Sequence, residues 1–320
     1  MQRFAVRTHI VMGVAGASLV AGMTGFGRAL SAQQVADSSF RAKLVAPSYP
    51  AGTGPRVLLD EGHSNFHTLS GRYLPFGRVL QQDGYVVAPS AHTVTRAVLD
   101  SARVFVIANA LAPVNETDWY LPTPSAFTDA EIRTLERWVS DGGSLLLIAD
   151  HMPFAGAAES LAAAFGIAFA NGFALDSTLE HGDMHFRRSD ATLASHAITN
   201  GEGPGARIDS VTAFTGQAFR LLGPGTPLLT LSPGTVLLMP EEAWLFSKRT
   251  PRTAATGLLQ GAVLHHGRGR VAVFGEAAMF SAQLGGPTRT PMGMNDPQAA
   301  QNPQFLINVM KWLTGQLQDH

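Results

Sequence analysis

Glu61, His63, Asp150, His151 and Glu276 are the residues of this 320-residue chain whose types and placement could do acid–base chemistry. Each follows closely on an apolar run. Val57, Leu58 and Leu59 stop at Asp60 and Glu61, Gly62 lets the backbone turn, and His63, Asn65 and His67 come next. Leu145 to Ile148 runs to Asp150 and His151, and Val271 to Phe274 runs to Gly275 and Glu276. Short apolar runs without alternation are what a strand buried on both faces requires. The carboxyl ends of parallel strands share one edge of an open sheet. The topology therefore predicts that these five side chains converge on one pocket, with Glu61 or Glu276 as general base and the histidines as acid or metal ligands. Acids gathered out of water repel one another, so at least one should have a raised pKa or a cation nearby.

A divalent metal is the cofactor these residue types would hold, with His63, His67, His181, Asp183 and His185 as candidate ligands. His63 and His67 stand four apart in a loop and could reach one centre. In an extended strand His181, Asp183 and His185 share one face while Met184 and Phe186 take the other, which is a divalent half-site or simply a wetted strand face. Asp60 and Glu61 could equally cap loop amides, and Asp150 could cap the helix that follows His151.

The elements that must position these groups alternate strand and helix. Strands are expected at Val57–Asp60, Tyr85–Ala88, Val104–Ile107, Ser144–Ala149 and Val271–Phe274. Helices are expected over Tyr73–Asp83, Thr93–Ser101, a stretch opened by the capping box of Thr128 and Glu131, and Ala157–Phe165. A last helix opens at Pro303 and buries Phe305, Leu306, Val309, Met310 and Leu313. That rhythm predicts a flavodoxin-like α/β fold: a parallel sheet with the first strand near its centre, helices on both faces, and an inserted antiparallel β portion over about 171–260. Leu111 to Phe127, with Trp119, is a long loop between strand and helix, and such loops are often functional.

Residues 1–32 read as a signal peptide: Arg3 and Arg7 start it, Ile10 to Met23 is uncharged and apolar, and Ala29 to Ala32 offers small residues for cleavage. An uncleaved anchor is the alternative. Residues 33–55 read as a leader and 56–320 as one domain. Export predicts a periplasmic or secreted protein with no membrane span once the signal is removed. Losing Arg3, Arg7 and Arg28 and no acid moves the net charge from −1 to −4, and the only lysines are Lys43, Lys248 and Lys311. Such a chain lacks the basic surface that nucleic acid binding needs. With no cysteine there are no disulfides, thiolate zinc sites or cysteine nucleophiles. No phosphate-binding Gly-Lys-Ser/Thr loop, Gly-x-Ser-x-Gly elbow or His-Glu-x-x-His helix occurs.

Taken in order, the stretches Val57 to His67, Leu146 to Phe154, Ser195 to Gly201, Gly269 to Glu276 and Asn302 to Leu313 resemble an uncharacterised bacterial family of the class I glutamine-amidotransferase-like superfamily. Its relatives include gliding-motility transporter auxiliary and intraflagellar-transport domains, which bind rather than catalyse. The resemblance implies the fold. It departs at the chemistry, because amidotransferases use a cysteine on a strand-to-helix elbow and this chain has none. Two expectations follow: an exported hydrolase-like enzyme acting on a small polar or carbohydrate-like molecule, or a non-catalytic envelope domain that binds a ligand or a protein.

Overall fold

The structure, a computed structural model, describes residues 34–176 and 183–319. The expected signal peptide over 1–32 and the candidate ligand His181 lie outside the described residues.

Four strands lead the main sheet: β1 (Arg56–Asp60), β2 (Val86–Ser90), β3 (Val104–Ala108) and β4 (Ser144–Ile148). The short strands β5 (Ile167–Phe169), β6 (Phe219–Leu221) and β7 (Thr226–Thr230) follow, then β8 (Leu259–His266) and β9 (Gly269–Phe274). The spatial order is β2-β1-β3-β4-β9-β8-β6-β5, with β7 also paired to β8. The pairs from β2 through to β9 are all parallel. From β8 outward every pair is antiparallel. A turn at Gly267 joins β8 to β9, at φ +59, where a Cβ would also come within 2.5 Å of the Ser140 carbonyl oxygen, so only glycine fits.

Apolar runs without alternation are required because both sheet faces are covered. Alternate residues supply two cores. Val57, Val104, Leu146 and Phe274 pack with Phe76 of α1 (Leu74–Gln82) and with Leu306 and Met310 of the C-terminal helix over Asn302–Thr314. Leu58, Phe105, Leu145 and Val273 face the opposite way. There they meet Leu135, Trp138 and Val139 of the helix Asp129–Ser140, and Leu161 of the helix Phe154–Ala164. Full burial of one such side chain contributes roughly 1.5–3 kcal/mol.

The first strand is not central. It lies second from the edge, inside β2. Pro89 sits within β2 and cannot donate to a ladder, which confines that strand to an edge. The inserted stretch divides in two. Phe173–Asp176, Thr235–Leu238 and Arg252–Ala254 form a separate three-stranded antiparallel sheet, and Met184–Arg187 pairs with Ser210–Ala213. The remaining inserted strands, β6 and β7, extend the main sheet instead. Of the expected leader, residues 34–55 are more than a lead-in: Val35–Ala36 pairs antiparallel with Ala282–Gly285, which pairs with Thr290–Gly293.

Candidate functional site

The loop after β1 winds around one buried carboxylate. Asp60 accepts from the Gly62 amide at 3.2 Å and from Asn65 Nδ2 at 3.1 Å, and its two oxygens lie 3.0 and 2.9 Å from His63 Nδ1. The other ring nitrogen, His63 Nε2, lies 3.0 Å from Glu131 Oε1. Glu131 is there because Thr128 opens its helix with a full capping box: the carboxylate takes the Thr128 amide and hydroxyl, and a further bond from the Val94 amide. Burial alone would lower the His63 pKa. The hydrogen bonds and charges of Asp60 and then Glu131 outweigh burial and raise it above the ordinary histidine value. Glu131 is held low against its own burial, first by the Thr128 bonds and then by His63. His63 is thus clamped between two carboxylates that favour its protonated form, its ring 4.3 Å from that of Phe127.

His63 therefore stands outside the catalytic and metal roles expected of it, since both ring nitrogens are occupied. Glu61 stands outside the pocket as well: its carboxylate accepts the Leu69 amide at 2.7 Å, which fixes the descent of the same loop.

Asp150, His151 and Glu276 do come together, and His67 joins them. All four line a cavity of about 160 Å³ at the carboxyl edge of the parallel strands. Asn109, directly after β3 at φ +50, organises it. Its Oδ1 accepts the Asp150 amide at 2.9 Å, so its Nδ2 is the group that donates to His67 Nδ1 at 3.1 Å. That bond leaves the His67 proton on Nε2. His151 has the opposite tautomer. Its Nδ1–H donates to the Met152 carbonyl at 2.6 Å, which leaves Nε2 with a lone pair. Both imidazoles are neutral. Burial lowers His67 well below the ordinary value, with Arg72 and His151 adding to the effect. Burial also lowers His151, although Asp150 and the Met152 bond pull upward.

Asp150 accepts the His151 amide through Oδ1 at 2.7 Å. Glu276 is 1% exposed and accepts the Ala278 and Met279 amides, each at 2.7 Å. Burial first, and the Asp150 charge second, raise its pKa well above the usual carboxylate range against those amide bonds.

The walls are aromatic. Trp119 packs on Phe66 and Phe154 at 5.2 and 5.1 Å between ring centroids, and Trp244 meets His151 edge-on at 4.8 Å. Two loops carry the indoles and are pinned to each other by a Tyr120–Glu242 bridge and by the Ala243 amide donating to the Trp119 carbonyl at 2.7 Å. Gln34, Gln283 and Thr215 also reach the cavity. The length of the loop containing Trp119 signalled its role. Trp244 lies in an irregular segment and Gln283 in the short strand Ala282–Gly285, and no periodicity in the sequence marks either.

The expected metal set is dispersed. His185 bonds Thr212 Oγ1 at 3.1 Å on the small two-stranded sheet, with Met184 and Phe186 buried on the other face, and it lines a different recess from His67. Asp183 precedes that strand. Among the described residues no group of three or more acids or histidines is disposed to hold a metal ion.

No family model and no curated protein matches this chain. Solved structures do. The mmIFT52 N-terminal domain aligns over 81% of this chain and 97% of its own length, at 15% identity and a TM-score of 0.58. A ThuA-like protein from Bacteroides uniformis aligns over 85% and 94%, at 13% identity and a TM-score of 0.45. A cytoplasmic protein from Salmonella typhimurium LT2 aligns over 81% and 98%, at 14% identity and 0.48. At such identities a likeness speaks to fold alone, and the first of the three, an intraflagellar-transport domain, is similar enough to share its fold with this chain.

Proposed function

We propose that this protein is an exported hydrolase that acts on a small polar or carbohydrate-like molecule in the cavity between Trp119 and Trp244. One observation carries the reading: Asp150, His151, Glu276 and His67 meet around a single cavity at the edge where parallel sheets present their sites. The order of the five parallel strands, β2-β1-β3-β4-β9, supports a flavodoxin-like arrangement. The sequence resemblance supports placing the chain in the class I glutamine-amidotransferase-like superfamily, without that superfamily's cysteine chemistry.

The chemistry is general acid–base hydrolysis. His151 Nε2 takes a proton from water, whose oxygen forms the new bond to the electrophilic carbon. The bond to the leaving group breaks, and the leaving group takes the proton that a high-pKa Glu276 carries. His67 Nε2–H donates to a substrate oxygen and Asp150 orients the ligand. The apolar run after Arg3 and Arg7 supports delivery to the envelope.

The test is turnover of chromogenic glycosides and esters by the purified chain. His151→Ala should lower kcat/KM at least roughly a hundredfold, the lower bound for a positioned base. Turnover that His151→Ala leaves unchanged would remove His151 from the reaction.

A second reading has its own support. Both Glu276 oxygens accept backbone amides, so the carboxyl serves the fold as well as the cavity. A non-catalytic envelope domain that binds a ligand in the same cavity would show saturable binding and no turnover of any substrate tried.

A further inference from the structure

The cavity presents three acceptors with no partner among the described residues. Asp150 has one oxygen bonded to the His151 amide, and no hydrogen bond among the described residues occupies the other. His151 Nε2 carries a lone pair because the proton is on Nδ1. Gln283 lines the cavity at 1% exposure, and its Oε1 is buried with no partner. A buried acceptor left unpaired is costly, so it points to a ligand with hydrogens to give. The donors beside them are His67 Nε2–H, the indole N–H groups of Trp119 and Trp244, the Gln283 side-chain amide and the proton assigned above to Glu276, and none of these carries a positive charge. The Thr215 hydroxyl is already bonded to the Phe214 carbonyl at 2.6 Å.

Charge points the same way. Two acids line the cavity, and no lysine or arginine lines it among the described residues. Trp119, Trp244, Phe66 and Phe154 line the cavity, and aromatic rings attract cations, indole most strongly. Phe66 already shows this affinity, with the Arg72 guanidinium 3.8 Å from its ring centroid. A neutral polyol would leave the Asp150 carboxylate without a charge partner in the cavity. An ammonium group brings three donors, no acceptor and one positive charge.

Resting on the reading that this cavity is the ligand site, we propose that its ligand carries a primary ammonium group, with Asp150 and Gln283 Oε1 as acceptors and the indoles of Trp119 and Trp244 as walls. An amino sugar or another small primary amine is the class that fits a cavity of about 160 Å³.

The test is calorimetric titration of the full chain with glucosamine, glucose and ethylammonium at pH 7. Glucosamine should bind at least roughly thirtyfold more tightly than glucose, the ratio expected when a buried charge pair loses one partner. Asp150→Asn should erase that ratio, and Trp119→Ala, at a partly exposed ring, should weaken both amines while the thermal unfolding curve stays cooperative. Glucose binding as tightly as glucosamine would overturn the ammonium assignment and leave the cavity standing as a sugar site. Absence of binding by either amine to the folded chain would also overturn it. The reading of the cavity as an active site is judged separately, by the His151→Ala turnover assay.

Discussion

His63 and His67 stand four residues apart on one loop and have opposite fates. His63 is closed off: Asp60 holds one ring nitrogen and Glu131 the other, and both carboxylates favour the charged ring. His67 is fixed through Nδ1 by Asn109, is neutral, and lines a cavity. Both are buried, both have polar partners, and both follow the same strand. What separates them is whether every hydrogen-bonding atom is used. A saturated cluster stabilises a fold, while one with atoms left over has something to offer a ligand.

Removing His63 is the most direct way to break this contrast. His63→Ala leaves two buried carboxylates without their shared cation, and such losses cost about 3–5 kcal/mol. Urea unfolding should show that loss in the midpoint with little change in slope. Because His63 also holds the loop that carries His67, ligand binding should fall as well. A variant within 1 kcal/mol of the parent would mean that the triad is not holding the loop.

The two histidines should also titrate stability in opposite directions. His63 has a folded pKa above its unfolded value of about 6.5. Its contribution is complete below pH 6.5 and is lost as pH rises through the folded pKa. His67 has a depressed folded pKa, so the unfolded chain binds a proton that the folded chain refuses. Its burial becomes more costly as pH falls below 6.5, by about 1 kcal/mol per pH unit. Stability measured relative to His63→Gln should therefore shrink toward alkaline pH, and relative to His67→Gln toward acid pH. Using each variant as its own baseline cancels the separate titration of Glu276. Parallel profiles for the two variants would end the distinction.

The closed cluster was half legible in the sequence, and the reason is spatial range. Thr128 and Glu131 announce their capping box three residues apart, and the box is present. Nothing local says that Glu131 also reaches a histidine 68 positions earlier. The open cavity was legible where sheet topology acts: Asp150, His151 and Glu276 follow the carboxyl ends of adjacent parallel strands and do meet. Trp244 and Gln283 arrive from an insertion and from a strand outside the main sheet, where neither the helical nor the strand period applies. Pro89 carried a signal that the expectation of a central first strand passed over, because a proline inside an apolar run demotes its strand to an edge. The expected pairing of His63 with His67 at one metal failed for a related reason. Spacing along the chain put His63 and His67 within reach of one centre, but the carboxylates that claimed His63 come from elsewhere.

A milder probe of the closed cluster is Thr128→Ala. It deletes the hydroxyl that accepts the Glu131 amide and donates to the Glu131 carboxylate at 2.7 Å. A lost cap of this kind costs about 1 kcal/mol. The cost should rise in wild type and shrink when His63 is already absent, since both changes act through Glu131. A double-mutant cycle over Thr128→Ala and His63→Ala measures that coupling. Strict additivity would place the cap and the imidazolium in independent roles.

The smallest expected change has the opposite sign and lies in the cavity. Asp150→Asn keeps an oxygen for the His151 amide and removes a charge. That charge is one of the causes that raise Glu276 in a fully desolvated place. Relief of the repulsion should stabilise the fold by about 0.5–1 kcal/mol at pH 7, as replacements at strained functional positions commonly do. The Glu276 carboxyl, followed by carbon-13 shifts, should titrate lower in the variant, while burial still holds it above the ordinary glutamate value. Stability would then rise in the same substitution that abolishes amine binding. A loss of more than 1 kcal/mol would instead assign Asp150 to the fold, make the cavity a second saturated cluster, and remove the contrast between His63 and His67.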